Sequence, residues 1–143
     1  MNEKILLQAE KEFDIRFSEV DSMQIVWHGS YALYFEDARE EFGRKFHLEY
    51  MRMYEFGFYA PLVEFKVNYK QPLKYQDKAK IVITFRNTES AKLIFDYEIY
   101  NTKTNVLCAT GHTVQVFLDT NYQLMWTLPQ FISEWKKMNG LSG

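Results

Sequence analysis

The apolar residues of this 143-residue chain change their spacing from three or four positions to two about halfway along its length. The first spacing predicts one long helix with a single apolar face, made of Tyr31, Phe35, Ala38, Phe42 and Phe46. The second spacing predicts β-strands at 78–86, 91–100 and 105–118, and a further strand containing Val63, Phe65, Val67 and Tyr69. A helix and a sheet that are each apolar on one face must cover one another, so the pattern predicts an α+β fold in two layers.

The remaining segments extend this order of elements. Residues 11–17 alternate and predict a first strand that carries Phe13, Ile15 and Phe17 on one face. Ser30 is expected to be the N-cap of the long helix, because a serine side chain can accept a hydrogen bond from the first turn. A short second helix is expected within 48–58. A last helix is expected after Pro129, with one side formed by Phe131, Ile132 and Trp135.

Two short, turn-rich breaks suggest how the strands pair. Asn87–Ser90 and Asn101–Asn105 are short enough for hairpins, so the last four strands are predicted to form an antiparallel meander. The expected architecture is one long helix packed on a five-stranded antiparallel sheet in two layers, with a short C-terminal helix. Cystatin-like and other α+β binding folds share this pattern, so it does not define a function.

Composition excludes several classes of protein. The length suits one domain spanning 1–143, and the net charge of −2 without a basic run argues against a nucleic-acid partner. Cys108 is the single cysteine, so no intrachain disulfide can form. Met1–Leu7 lacks the apolar length of a signal peptide, and no window is long enough for membrane insertion, so a cytoplasmic protein is expected.

The three histidines are dispersed along the chain and predict no metal site. His28 stands beside the start of the long helix and His47 at its end. His112 shares its predicted strand face with Val114 and Val116, so we expect it to be a hydrogen-bonded histidine of the core.

The segment from Phe17 to Tyr31 holds the residues best suited to chemistry. Asp21 lies in a polar loop directly before the long helix, and Gly29 can leave backbone N–H groups open at the helix start. Unpaired N–H groups at a helix N-terminus can bind a developing oxyanion. A nearby carboxylate can attack a carbonyl carbon or activate a water molecule. The alternative is that Asp21 only closes a turn.

This segment also carries a family resemblance. Asp21 is followed by Ile25-Val26-Trp27-His28, then by Tyr31 and by Phe35-Glu36-Asp37-Ala38-Arg39. The run resembles the signature of the 4-hydroxybenzoyl-CoA thioesterase family and its bacterial acyl-CoA thioesterase relatives. A weaker similarity continues through Pro72–Asp77 and Gly111-His112-Thr113. One position departs from the pattern, because Gln24 stands where these relatives usually have glycine.

The resemblance implies a hot-dog fold whose sheet wraps the long helix, in a homodimer or homotetramer with sites between subunits. It implies that Asp21 is the nucleophile or general base on an acyl-CoA thioester, and that the backbone N–H of His28 polarises the carbonyl. No cofactor is implied, because coenzyme A is part of the substrate. Two alternatives stay open: a hot-dog dimer that binds acyl-CoA without turnover, and a thioesterase that acts on acyl carrier protein.

Further candidates for the site follow from their positions. The side chain of His28 could act as an acid or base, and Glu36 matches the family motif and could assist at the site. The predicted residues for binding substrate or coenzyme A are Gly29, Tyr31, Lys70, Lys74 and Lys92. The lysines could meet the coenzyme A phosphates, although exposed strand lysines more often serve solubility.

Overall fold

The computed structural model describes residues 6–142, so most of Met1–Leu7 lies outside the described residues. The helices are α1 (Ser30–Phe46), α2 (Tyr50–Glu55) and α3 (Gln130–Met138). The strands are β1 (Gln8–Asp14), β2 (Phe58–Tyr59), β3 (Leu62–Tyr69), β4 (Lys78–Arg86), β5 (Lys92–Asn101), β6 (Leu107–Val116) and β7 (Leu118–Asp119). Among the helices of this part of the chain, none has the length and apolar composition that a membrane span requires.

The main sheet has five antiparallel strands in the order β1-β4-β5-β6-β3. The two predicted hairpins, β4–β5 and β5–β6, are confirmed. The predicted meander is wrong for β3, which pairs with β6 at one edge while β1 pairs with β4 at the other. The connection 70–77 therefore runs from β3 at the edge, past β6 and β5, to β4, instead of forming a hairpin. Its backbone bonds to the loop before α1, a long-range contact that local spacing does not reveal.

The first strand is displaced from its predicted position at 11–17. β1 is Gln8–Asp14, and the backbone N–H of Ile15 donates to Asp77 O (2.9 Å) in the same register, directly beyond the last pair of the β1–β4 ladder. Phe17 begins a short 3-10 helix, Phe17–Glu19, and its side chain is 73% exposed. The alternation of apolar residues thus continues beyond the strand itself, which is why the prediction placed the strand too late.

The predicted apolar face of α1 is confirmed as the centre of the core. Phe35 is fully buried and stacks on Tyr97 of β5, with ring centroids 4.1 Å apart and planes 2° from parallel. Phe42 packs against Phe85 of β4 and Phe95 of β5. Burial of each such side chain contributes about 1.5–3 kcal/mol, so this aromatic layer fixes α1 on the sheet and fixes the position of its N-terminus.

Arg39, the last residue of the family-like run, has a structural role. Its Nε donates to the Tyr50 hydroxyl (3.0 Å) and its Nη1 donates to the Tyr97 hydroxyl (3.2 Å). The Tyr97 hydroxyl also shares a hydrogen bond with Thr113 (2.6 Å). One side chain therefore joins α1, α2 and the sheet.

The expectation that His112 is a core residue is wrong. Its Nδ1 lies 2.7 Å from Asp96 Oδ1, its side chain is 36% exposed, and Asp96 Oδ2 also accepts from Arg86 Nε at 2.6 Å. These groups lie on the face of the sheet away from α1. Partial burial alone would raise the pKa of Asp96, but the hydrogen bonds from His112 and Arg86 outweigh it and lower that pKa. By strand alternation His112 shares its face with Val114 and Val116, as predicted, and it is hydrogen-bonded, but Gly111 and Thr113 lie on the core side.

Candidate active site

The loop that carries Asp21 is a small hairpin with defined backbone pairing. Val20 and Val26 form an antiparallel bridge, and the N–H of Asp21 donates to Ile25 O (2.9 Å). The N–H of Gln24 donates to Asp21 O (2.9 Å) and closes the tip. The second arm is held by the connection 70–77, since Ile25 bridges with Lys74. The hairpin is therefore fixed between α1 and this connection.

The Asp21 carboxylate has one bonded and one free oxygen within the described residues. Its Oδ1 accepts a hydrogen bond from the backbone N–H of Met23 at 2.8 Å, while no protein donor is found for Oδ2 there. Its side chain is neither fully buried nor fully exposed. Asp21 does close a turn, and the turn holds one oxygen while leaving the other available for chemistry.

Gln24 adopts the left-handed backbone conformation, with φ at 63°. Glycine enters this region at little steric cost, whereas an L side chain there costs roughly 1–2 kcal/mol. This explains physically why a glycine suits this position in the resembling sequences. The hydrogen bonds of the hairpin tip are nevertheless present around Gln24, so the substitution strains the loop without altering its pairing.

We expect Gln24→Gly to leave the free energy of unfolding unchanged or to raise it by up to about 1 kcal/mol, because relief of strain offsets the added entropy of the unfolded chain. Urea unfolding provides the measurement. Gln123→Gly is the matched control: Gln123 lies in an exposed loop and is not among the residues with positive φ. The control should lose roughly 0.5–1 kcal/mol. Equal losses for both variants would contradict the account of strain at Gln24.

The two residues directly before α1 have open backbone donors. The N–H of Ser30 donates to Trp27 O (2.9 Å) and that of Tyr31 to His28 O (3.3 Å). Within residues 6–142, the N–H groups of His28 and Gly29 have no acceptor. Donors of this kind can stabilise negative charge on an oxygen atom, because the helix dipole is positive at this end.

Ser30 is not the N-cap that the sequence predicted. Gly29 holds the N-cap position, and Ser30 is the first helical residue. The Ser30 hydroxyl instead donates to Glu19 O at 3.0 Å. The Trp27 ring lies over Gly29 so closely that a Cβ there would be 2.0 Å from a ring carbon. Only glycine fits at position 29 with the Trp27 ring in this place, because any side chain there would clash with the ring.

An open cavity of about 390 Å³ adjoins this region. It is lined by Ile25, Val26, Tyr31, Tyr69, Lys70, Gln71 and Pro72. Tyr31 is 3% exposed and packs edge-to-face on Tyr69 with ring centroids 5.1 Å apart. Burial raises the pKa of Tyr31 to about 12, so its hydroxyl is a neutral hydrogen-bonding group at pH 7. The cavity is mainly apolar with one cationic side chain, Lys70, at its margin.

The structure groups some of the predicted site residues and separates others. Gly29, Tyr31 and Lys70 lie around the Asp21 hairpin or its cavity, and Lys74 bridges to the hairpin through its backbone. Lys92 pairs with Val116 at the opposite end of the sheet, roughly 20 Å from the cavity by the rise of a strand.

The two other predicted catalytic side chains are exposed. The His28 ring packs on the Trp27 ring with centroids 4.7 Å apart. The His28 side chain therefore lies next to the open N–H groups, one of which is its own. Glu36 lies further along α1, on its exposed side.

Glu19 and Tyr34 are not among the site residues that the sequence predicts. Glu19 is 8% exposed and Tyr34 is 2% exposed, and the Tyr34 hydroxyl donates to Glu19 Oε1 at 3.2 Å. Burial, followed by the charge of Glu19, raises the pKa of Tyr34. Tyr34 could have been found from its spacing of three residues from Tyr31 on the apolar face of α1. No local signal marks a glutamate in a polar loop as buried.

The fold defines a class of protein. A five-stranded antiparallel sheet packed around one long helix is the architecture of hot-dog thioesterases. The protein is a thioester hydrolase of this class. The chain belongs to the Thioesterase-like superfamily, whose sequence pattern matches residues 15–136.

Individual relatives agree with this assignment. YneP of Bacillus subtilis (strain 168), which bears the name of an acyl-CoA thioesterase, is 30% identical over 93 residues, or 65% of this chain and 67% of that protein. The structure of a DHNA-CoA thioesterase from Staphylococcus aureus superposes with a TM-score of 0.81 and 26% identity, covering 93% of this chain and 91% of that one. A 1,4-dihydroxy-2-naphthoyl-CoA thioesterase from Synechocystis has the same fold, with a TM-score of 0.80 and 16% identity, over 92% of this chain and 98% of that one.

Proposed function

We propose that this protein hydrolyses an acyl-CoA thioester to a free carboxylic acid and coenzyme A, with Asp21 as the catalytic carboxylate. The observation that carries the proposal is one short segment that holds both required groups. It contains a carboxylate with a free oxygen at Asp21 and two open N–H groups at His28 and Gly29. The names of YneP and of the Staphylococcus aureus relative support coenzyme A as the carrier of the acyl group.

The open N–H groups of His28 and Gly29 would hold the thioester carbonyl oxygen and stabilise the negative charge that develops on it. Asp21 then acts by one of two routes. As a general base it takes a proton from water, whose oxygen bonds to the acyl carbon while the C–S bond breaks and the thiolate takes up the proton. As a nucleophile its free oxygen bonds to the acyl carbon, the thiolate leaves, and water cleaves the resulting anhydride. Both routes use only water, substrate and protein groups.

The cavity beside the hairpin suits the apolar part of a bound thioester. Tyr31 and Tyr69 supply aromatic surface there, and Lys70 supplies a positive charge at the margin. Apolar walls with a few polar groups are typical of small-molecule sites. We propose that the acyl group or the pantetheine arm packs against Tyr31 and Tyr69, and that Lys70 faces the phosphates.

We further propose that the working unit is a homodimer joined at β3. This strand is eight residues long and lies at the edge of the sheet, next to β6 on one side only. Its side chains Val63, Phe65 and Tyr69 are 60%, 42% and 57% exposed. A long apolar edge strand is a template for pairing with another chain, and a second copy would cover it. A homotetramer would then be a pair of such dimers.

Val67→Pro should weaken this dimer. The N–H of Lys70 donates to Cys108 O (2.8 Å), so by antiparallel alternation the N–H of Val67 points away from β6. Two symmetry-related hydrogen bonds of about 1 kcal/mol each would be lost, which should raise the dissociation constant roughly 30-fold or more. Analytical ultracentrifugation provides the measurement.

Asn68→Pro is the matched control, because the backbone N–H of Asn68 points toward β6 within the same protomer. It should lower the thermal stability of the fold itself. A Val67→Pro protein that sediments as the wild type does would argue against a dimer joined at β3.

The test of the proposed function is release of free thiol from short-chain, long-chain and aromatic acyl-CoAs, and from the same acyl groups on acyl carrier protein. Hydrolysis of the coenzyme A series supports the proposal and identifies the acyl group. Faster turnover of the carrier-protein series would assign the protein to that substrate class instead. Binding of acyl-CoA with no thiol released from any thioester would show a binding protein and contradict hydrolysis.

A further inference from the structure

We propose that Glu19 is a positioning residue, whose buried carboxylate and backbone carbonyl together hold the Asp21 hairpin against the first turn of α1. The inference rests on the proposed function, since it concerns the alignment of Asp21 with the open N–H groups of His28 and Gly29. Glu19 lies two residues before Asp21, at the base of the hairpin.

The side chain of Glu19 makes three contacts. Its Oε1 accepts from the backbone N–H of Arg16 (2.8 Å) and from the Tyr34 hydroxyl (3.2 Å), and its Oε2 accepts from Arg16 Nε (3.3 Å). Tyr34 lies on α1, so its bond joins the hairpin base to the helix. Tyr34 is itself held, with its ring 4.6 Å from Phe13 and 5.8 Å from Tyr31.

The backbone carbonyl of Glu19 makes the second connection. It accepts from the N–H of Trp27 (2.9 Å) and from the Ser30 hydroxyl (3.0 Å). Trp27 and Ser30 stand on either side of His28 and Gly29, the two residues whose N–H groups are open. Glu19 therefore bonds the end of the second arm of the hairpin at Trp27, and both the first and second turns of α1.

These contacts make Glu19 a positioning residue and not a second catalytic carboxylate. Both of its carboxylate oxygens are already bonded, and the residue is 8% exposed. The Arg16 side chain is 71% exposed, so solvent screens its ion pair with Glu19. The buried hydrogen bond from Tyr34 therefore contributes more to holding Glu19 in place. These hydrogen bonds matter because a displacement of a catalytic group by about 1 Å can lower the catalysed rate roughly 100-fold.

The test compares Glu19→Gln and Tyr34→Phe with Tyr97→Phe. The last variant removes a buried tyrosine hydroxyl of the same kind, bonded to Arg39 and Thr113 on the other side of α1. We expect kcat to fall about 10- to 100-fold in Glu19→Gln and about 3- to 10-fold in Tyr34→Phe, with KM changed less than about 3-fold. Tyr97→Phe should lower the melting temperature but keep kcat within about 2-fold of the wild type, since it touches neither the hairpin nor the open N–H groups.

Amide hydrogen exchange provides a second measurement that needs no substrate. The amides of Asp21 and Trp27 should exchange about 10-fold faster in Tyr34→Phe than in the wild type, and the amide of Ile99 in β5 should not change. Unchanged exchange at both hairpin amides, or a fall in kcat no larger than in Tyr97→Phe, would overturn the inference. Retained hydrolysis by Asp21→Asn would refute the proposed mechanism instead, and the exchange rates would still show whether Glu19 holds the hairpin.

Discussion

Asp21→Asn should reduce thioester hydrolysis by about 10²- to 10⁴-fold, the contribution typical of a general acid or base. Asparagine keeps the Oδ1 acceptor that receives the N–H of Met23 at 2.8 Å, so the hairpin should retain its shape. What it loses is the negative charge and the basicity of the second oxygen. The substitution therefore removes the proposed catalytic group and keeps the shape of the hairpin.

The measurement is kcat and KM from free-thiol release, with binding of the thioester followed separately by calorimetry. We expect binding within about 3-fold of the wild type, because the carboxylate acts mainly in the transition state. Asp77→Asn is the matched control, since Asp77 Oδ2 accepts from the N–H of Lys74 at 2.9 Å in the neighbouring turn. A drop in kcat of equal size in both variants would mean that loop structure, and not the Asp21 charge, is responsible.

The parts of the fold that depend on local spacing could be predicted from the sequence. The positions of Phe35 and Phe42 on α1 follow from side chains three or four residues apart, and both are buried as expected. The hairpins β4–β5 and β5–β6 follow from short turn-rich breaks. The position of β3 at the far edge could not be predicted, because it depends on the contacts of residues 70–77 with the hairpin before α1.

The candidate site was predictable in part for the same reason. Asp21, His28 and Gly29 lie within one short run, and this run resembles a known family signature. Glu19 was not found, because its burial depends on Tyr34, fifteen residues away. Lys92 was grouped with Lys70 on charge alone, and the register of β5 places it at the other end of the sheet. Charge indicates a class of residue, but strand register decides where that residue lies.

Gly111→Ala should be the most destabilising single-methyl change in the core. A Cβ at position 111 would lie 2.1 Å from the ring of Phe35, far inside van der Waals contact. Phe35 cannot move away cheaply, since it is fully buried and stacked on Tyr97. We expect a loss of about 3 kcal/mol, at the upper end for an overpacked core. The Gly111 of the family-like Gly-His-Thr run thus allows α1 to lie close to β6.

Two further variants separate the clash from other effects of removing a glycine. Gly57→Ala places a methyl group in open space at φ 86°, so only backbone strain of roughly 1–2 kcal/mol applies. Phe35→Leu combined with Gly111→Ala should lose less stability than the sum of the two single changes, because the smaller side chain makes room for the methyl group. Urea unfolding of the wild type, Phe35→Leu, Gly111→Ala and the double variant measures this coupling. Strictly additive losses would show that Phe35 does not clash with the new methyl group, and that the distance between α1 and β6 is set by other contacts.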